Sequence, residues 1–325
     1  MSNNDALLEM QKETESSLEP PPPPTGLESA LLEYTALVAL DLPERKRHLA
    51  WLPEGGNVMV YALRGVGKTM FLLGLTASLV TGRDFLKWKL GEAVGVLYVD
   101  GEMQLDELRQ RQTALLPGPP KSKLHFLSSE MVYHKLHRDL VLTSEAVRDE
   151  ILGILDAHPE IRVVILDNIS VLFSGIDEDK KRDWEPIASW LIRLRHRGLA
   201  TILVHHSGKG GQQRGTSGRE DALDTVIHLA KPATHEAKDG CHFEVTFTKC
   251  RSVKGPEVGP LDVKLSEQGG QLIWAHQPLE VSKLDEVRAL LADGLTSNAD
   301  IAEALGIDRS YVWKLRKKIE KGSTA

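Results

Sequence analysis

The chain of 325 residues carries 46 acidic and 40 basic side chains, a formal net charge of −6. That balance excludes a uniformly basic nucleic-acid binder, so any contact with DNA must come from local patches. Two cysteines, Cys241 and Cys250, exclude a disulfide framework and a cysteine metal cluster, and no apolar run reaches membrane-spanning length. These features predict a cytoplasmic protein with no membrane partner.

In chain order, residues 1–28 are polar and acidic and end in the run Pro20 to Pro24, which enters neither a helix nor a central strand. They read as a disordered tail. Over 29–277, apolar β-rich runs at 58–62, 94–99, 163–166 and 201–204 alternate with helix-like stretches. This pattern predicts an α/β fold with a mostly parallel sheet covered by helices on both faces. Shorter strand-like pieces at 243–248, 261–265 and 272–274, separated by Gly and Pro, predict antiparallel additions at the sheet edge, followed by a linker around 275–282.

The segment Ala62-Leu63-Arg64-Gly65-Val66-Gly67-Lys68-Thr69 lies between the first apolar run and a helix-like run that begins with Met70. A phosphate-binding loop needs that context. Its backbone N–H groups, including those of Arg64, Gly65, Val66 and Gly67, face a phosphate, and the helix start at Lys68, Thr69 and Met70 adds its positive dipole end. Lys68 then reaches the β- and γ-phosphates of ATP and the Thr69 hydroxyl ligates Mg²⁺. Ala62 replaces the usual first Gly at a position that requires only a small side chain.

The second apolar run ends in Asp100-Gly101-Glu102, at the carboxyl end of a parallel strand where α/β sheets place ligand crevices. Either acid suits a general base that polarises water for attack on the γ-phosphate, and either suits a helix cap. The run 163–166 ends in Asp167, in the pattern of a carboxylate that holds Mg²⁺. The run 201–204 leads into His205-His206-Ser207, of which His206 is favoured as a γ-phosphate sensor. The Gly-rich segment 207–218 is expected to be a mobile loop whose Lys209 and Arg214 contact a nucleic-acid backbone. Lys249 and Arg251, alternating at a strand end, are placed to reach a neighbour's phosphate as finger equivalents.

Residues 282–325 read as a separate all-α unit of three helices, the layout of a helix-turn-helix. The third helix carries Arg309, Lys314, Arg316 and Lys317, a basic face suited to the DNA major groove.

In this order, the motifs resemble those of the hexameric replicative helicases of the RecA-like class, particularly the small plasmid-encoded RepA helicase group. The likeness spans about residues 50–275. It implies a homohexamer with ATP at subunit interfaces, Glu102 rather than Asp100 as base, the histidine region coupling γ-phosphate to the DNA loop, and single-stranded DNA through the ring. The C-terminal helix-turn-helix departs from that group and suggests a contact with duplex DNA. The function expected is an ATP-dependent DNA translocase or helicase of plasmid, phage or mobile-element replication; the alternative is an ATP-switched DNA-binding regulator, or a recombination or transposition ATPase without unwinding.

Overall fold

A computed structural model describes residues 26–116, 118–175, 181–207, 222–232, 235–236 and 240–322. The predicted tail up to residue 25 and most of the predicted DNA loop, with Lys209 and Arg214, lie outside the described residues. The chain divides into two units, at Glu44 and Arg45. In the first, a 3₁₀ turn (Gly26–Ala30) precedes the short helix α1 (Tyr34–Ala39). Everything below belongs to the second. No helix among the described residues is long and apolar enough to cross a membrane.

After a small β1 (Arg47–Leu49) and β2 (Leu52–Pro53) ladder, the chain enters a nine-stranded sheet. Its strands are β3 (Asn57–Ala62), β4 (Gly95–Asp100), β5 (Leu124–Ser128), β6 (Ile161–Asp167), β7 (Ala200–His206), β8 (Thr225–Ala230), β9 (Cys241–Cys250), β10 (Leu261–Gln268) and β11 (Gln271–Pro278). The order across the sheet is β11-β10-β9-β8-β3-β7-β6-β4-β5. Strands β3 to β8 are mutually parallel, and β9, β10 and β11 add to the β8 side antiparallel. The fold is therefore the predicted α/β arrangement, with two parallel strands, β5 and β8, that the apolar runs did not mark.

Alternation along each central strand feeds two cores. Val58, Val60 and Ala62 of β3 and Val163 and Ile165 of β6 face one side; Met59 and Tyr61, and Val164 and Leu166, face the other. On the first side lies α2 (Lys68–Thr81), apolar around most of its circumference because it is buried on nearly every face. Its fully buried Phe71 alone stabilises the fold by about 1.5–3 kcal/mol relative to an exposed ring. Gly74 in its middle has a reason: an added Cβ would meet Trp274 Nε1 of β11 at 2.4 Å. The same side carries α3 (Leu105–Leu115), which contacts α2, while α4 (Ser129–Leu136) follows directly from β5. On the second side, α5 (Glu145–Ala157) and α7 (Lys181–His196) present apolar stripes, in α7 Trp184, Ile187, Leu191 and Leu194 at helical spacing. The one-turn helix α6 (Ile169–Leu172) follows β6.

Strands β10 and β11 form a hairpin through Gly269 and Gly270, whose φ values of 59° and 80° suit a two-residue primed turn. The predicted linker around 275–282 is instead continuous secondary structure. Strand β11 runs to Pro278 and α8 (Leu279–Ala292) starts at the next residue. Buried Lys283 of α8 pairs with Glu244 Oε1 at 2.9 Å and Glu286 Oε2 at 3.1 Å, and Ser282 Oγ donates to Asp262 at 3.0 Å. These contacts seat α8 on β9 and β10.

Helices α8, α9 (Asn298–Leu305) and α10 (Arg309–Gly322) share a small core of Val287, Ile301, Leu305, Val312 and Leu315. Ser297 caps α9 by accepting from the N–H groups of Ala299 and Asp300, and Gly306 ends it in the left-handed conformation at φ 60°.

Candidate active site

The motifs that end the parallel strands β3, β4, β6 and β7 meet at the carboxyl edge of the sheet. Registers place Ala62 of β3 beside His206 of β7 and Asp100 of β4 beside Asp167 of β6. Between them lies a cleft of about 590 Å³ that Arg64, Gly65, Gly67, Lys68, Thr69 and Met70 line from one side and Glu102, Asp167 and His206 from the other.

The turn after β3 demands its glycines. Gly65 sits at φ 73° and Gly67 at φ 121°. At Gly67 a Cβ would also meet Cys241 Sγ at 2.8 Å and Phe243 Cε1 at 3.1 Å, because β9 packs beneath the loop. Val66 turns its side chain into the core, so only its backbone can serve a phosphate. Lys68 is buried, and its ammonium donates to the carbonyls of Ala62 at 3.0 Å and Leu63 at 2.9 Å. Burial pushes its pKa down to about 8, against the pull of Asp167 and Glu102. Ala62 thus takes part through its carbonyl rather than as a lining side chain.

Three carboxylates line the cleft and divide by environment; two of them, Asp167 and Glu102, act on Lys68. Asp167 is 5 % exposed; Tyr98 Oη donates to its Oδ2 at 2.7 Å and the Thr69 hydroxyl also hydrogen-bonds to it. Burial raises its pKa, and the Tyr98, Thr69 and Lys68 contacts oppose that rise. Asp100, 2 % exposed, has its pKa raised to about 7, first by burial and then by the Asp167 carboxylate. Its Oδ2 accepts from Met103 N at 2.9 Å, which closes the turn after β4; α3 starts beyond it, with Gln104 at the N-cap and no side-chain cap, so Asp100 does not cap the helix. Glu102 differs from both: its side chain is 65 % exposed to the cleft, with Oε2 accepting from Asn168 Nδ2 at 2.6 Å and lying 3.9 Å from His206 Nε2. It is the carboxylate free to reach a water in the cleft.

Asn168 carries a job that its sequence did not announce. It is buried, joined to Asp167 by a cis peptide bond, and its Oδ1 caps α6 by accepting from Val171 N at 3.3 Å. Its amide fixes Glu102 as described. Tyr98, the partner of Asp167, was likewise hidden in an apolar run. Both signals are spatial, since β4 and β6 must pair before these groups meet.

The paired histidines separate as strand alternation requires. His205 is fully buried, while His206 reaches the cleft with its pKa lowered, chiefly by burial and then by Lys68. Ser207 N donates to the same Ala62 carbonyl that holds Lys68, at 2.9 Å. Lys249 and Arg251 are elsewhere. Strand β9 runs antiparallel to β8, and Thr225, the first residue of β8, pairs with Cys250, so the basic end of β9 lies at the sheet edge away from the cleft. The strand ends at Cys250, and exposed Arg251 follows with its backbone N bound to Asp224 O at 2.9 Å.

On α10, Arg309, Lys314 and Lys317 are exposed, and Lys317 Nζ stands 4.5 Å from the Trp313 ring centroid. Arg316 is turned inward and donates to Thr296 O and Asn298 Oδ1, each at 2.7 Å. It braces the turn before α9.

The chain matches the family model of an AAA domain over residues 28–212, more than half its length. No curated protein matches it. A glycine-formed phosphate loop feeding a buried lysine, facing a strand-terminal aspartate and a free glutamate, is what an ATPase of this kind requires, and the chain belongs to the AAA-domain family of P-loop ATPases.

Proposed function

We propose that this ATPase is a ring-forming DNA translocase or helicase that uses ATP with Mg²⁺ and acts as a homohexamer in the replication of a plasmid, phage or other mobile element. The observation that carries the reading is the separation of Lys249 and Arg251 from the cleft of their own subunit. Phosphoryl transfer benefits from a cation on the developing charge beyond the loop lysine. Basic residues at the far end of the sheet can supply it only to a neighbour, in a head-to-tail ring.

Within one subunit the chemistry proceeds from residues already positioned. Lys68 exchanges its carbonyl partners for the β- and γ-phosphates, and Glu102, aimed by Asn168, accepts a proton from the attacking water as the bond to the leaving ADP breaks. The adjoining Thr69 hydroxyl and Asp167 carboxylate would hold a Mg²⁺ ion, which would neutralise phosphate charge. His206, beside Glu102 and one residue from Ser207, passes the state of the γ-phosphate to the segment carrying Lys209 and Arg214, which contacts single-stranded DNA.

The test is strand displacement on forked duplexes with ATP, run beside DNA-stimulated hydrolysis. Displacement by the wild type and its loss in Lys68→Ala and Glu102→Gln support the helicase. Stimulated hydrolysis without displacement overturns unwinding and leaves translocation standing.

A second reading rests on α10, whose exposed Arg309, Lys314 and Lys317 suit a helix-turn-helix contact with duplex DNA. In that reading ATP switches a DNA-binding regulator, and removal of residues 282–325 abolishes sequence-selective binding.

A further inference from the structure

At the opposite end of the sheet from the phosphate loop, three side chains from separate elements converge. His125 stands near the start of the edge strand β5, His158 follows the last residue of α5, and Glu160 immediately precedes β6. Glu160 Oε1 lies 3.3 Å from His125 Nε2 and 3.4 Å from His158 Nδ1. The imidazole centroids are 4.4 Å apart with planes inclined at 46°, and one donor atom from each residue lies within 4.8 Å of the others.

We propose that His125, His158 and Glu160 form a binding site for a divalent transition-metal ion of the zinc class. The two measured separations match the chemistry of such an ion. Bonds of about 2.0–2.1 Å at tetrahedral angles put neighbouring donor atoms about 3.3–3.4 Å apart. Hydrogen bonds between an imidazole N–H and a carboxylate favour about 2.7–3.2 Å, so the spacing is longer than unaided pairing prefers.

The backbone beneath is built to hold the three groups. Ile161 N donates to His158 O at 3.0 Å, closing the turn that carries two of the ligands. Gly95 N donates to Glu160 O at 3.2 Å, and a Cβ on Gly95 would meet that oxygen at 2.4 Å, so glycine permits the close approach of β4. The ligand side chains are 29 %, 41 % and 36 % exposed, which leaves the outer coordination position open to water or another donor. Two nitrogen donors with one carboxylate suit Zn²⁺, Ni²⁺ or Cu²⁺ and are poor ligands for Mg²⁺, so this site is chemically distinct from the nucleotide cleft. A bound ion would clip the edge strand β5 to the turn between α5 and β6.

The experiment titrates the full chain with ZnCl₂ in excess Mg²⁺, with calorimetry for affinity and Co²⁺ absorption for geometry. The expected result is one ion per chain at this site, an intense tetrahedral-type Co²⁺ spectrum, and a zinc-dependent rise in Tm. His125→Ala/His158→Ala and, separately, Glu160→Gln should weaken binding, the double variant by at least about a hundredfold. Lys68→Ala should bind zinc as the wild type does, which separates the result from the ATPase reading. Failure to bind zinc, or affinity and Co²⁺ spectrum unchanged in both ligand variants, overturns the site. Glu160→Gln, which keeps size and polarity, guards against loss of binding through misfolding, as its metal-free Tm reports.

Discussion

Asn168 Nδ2 donates to Glu102 Oε2 at 2.6 Å, so the residue after the strand-terminal Asp167 aims the carboxylate at the end of the neighbouring strand. Glu102→Gln should lower kcat by about 10²–10⁴-fold while nucleotide affinity stays near that of the wild type. Asn168→Ser retains a cap for Val171 N but not the reach to Glu102, and should lower kcat by up to about a hundredfold. Steady-state hydrolysis beside equilibrium nucleotide binding checks both. A loss of binding equal to the loss of turnover would remove Glu102 from the chemical step.

The carboxyl of Asp100 provides a pH test. Its pKa rises from 3.8 to about 7 on folding, so the native state holds a proton that the unfolded chain releases. Its contribution to stability is complete below about pH 4 and disappears as pH climbs through 7. Asp100→Asn keeps the acceptor for Met103 N and cannot ionise. Its Tm should exceed that of the wild type by about 2–4 °C at pH 8 and by much less at pH 5. An equal difference at both pH values would mean that Asp100 is ionised throughout.

The ring reading predicts complementation. Glu102→Gln spoils one face of each junction, and Lys249→Ala/Arg251→Ala spoils the other. Each protein alone should be inactive, but random mixing of the two in a head-to-tail ring equips about a quarter of the junctions fully. Hydrolysis should therefore reappear on mixing. Continued silence, with mixed oligomers demonstrated, would return Lys249 and Arg251 to a structural role.

Gly74 makes a stability prediction that opposes helix propensity. Alanine is preferred over glycine inside a helix by about 0.5–1 kcal/mol, yet here its methyl would press on Trp274. Gly74→Ala should destabilise by about 1–3 kcal/mol through overpacking, and Trp274→Leu should recover part of that loss. Urea unfolding of the single and double variants measures the coupling.

The phosphate loop was legible because its chemistry is local: glycines at required positive φ, a lysine, and a threonine within eight residues. The parallel sheet was legible because buried strands must be apolar throughout. What escaped was made by distance. Asn168 acts on a residue 66 positions earlier, and the His125, His158 and Glu160 cluster exists only because β4 lies between β5 and β6. Short strands with mixed burial, such as β5, carried too weak a pattern to be marked. The expected linker failed because a hairpin strand passes directly into α8, and composition alone does not distinguish a hinge from a docked helix start.

The placement of β8 beside β3 governs how this protein can be dissected. A fragment ending at residue 212, where the family match stops, would turn the loop-bearing strand into a raw edge and strip Cys241 and Phe243 from beneath Gly67. Exposed edges invite sheet-to-sheet association. The smallest piece with a protected loop-bearing strand therefore extends through β9 to Cys250, and fragments that stop before β8 should be recovered as aggregates.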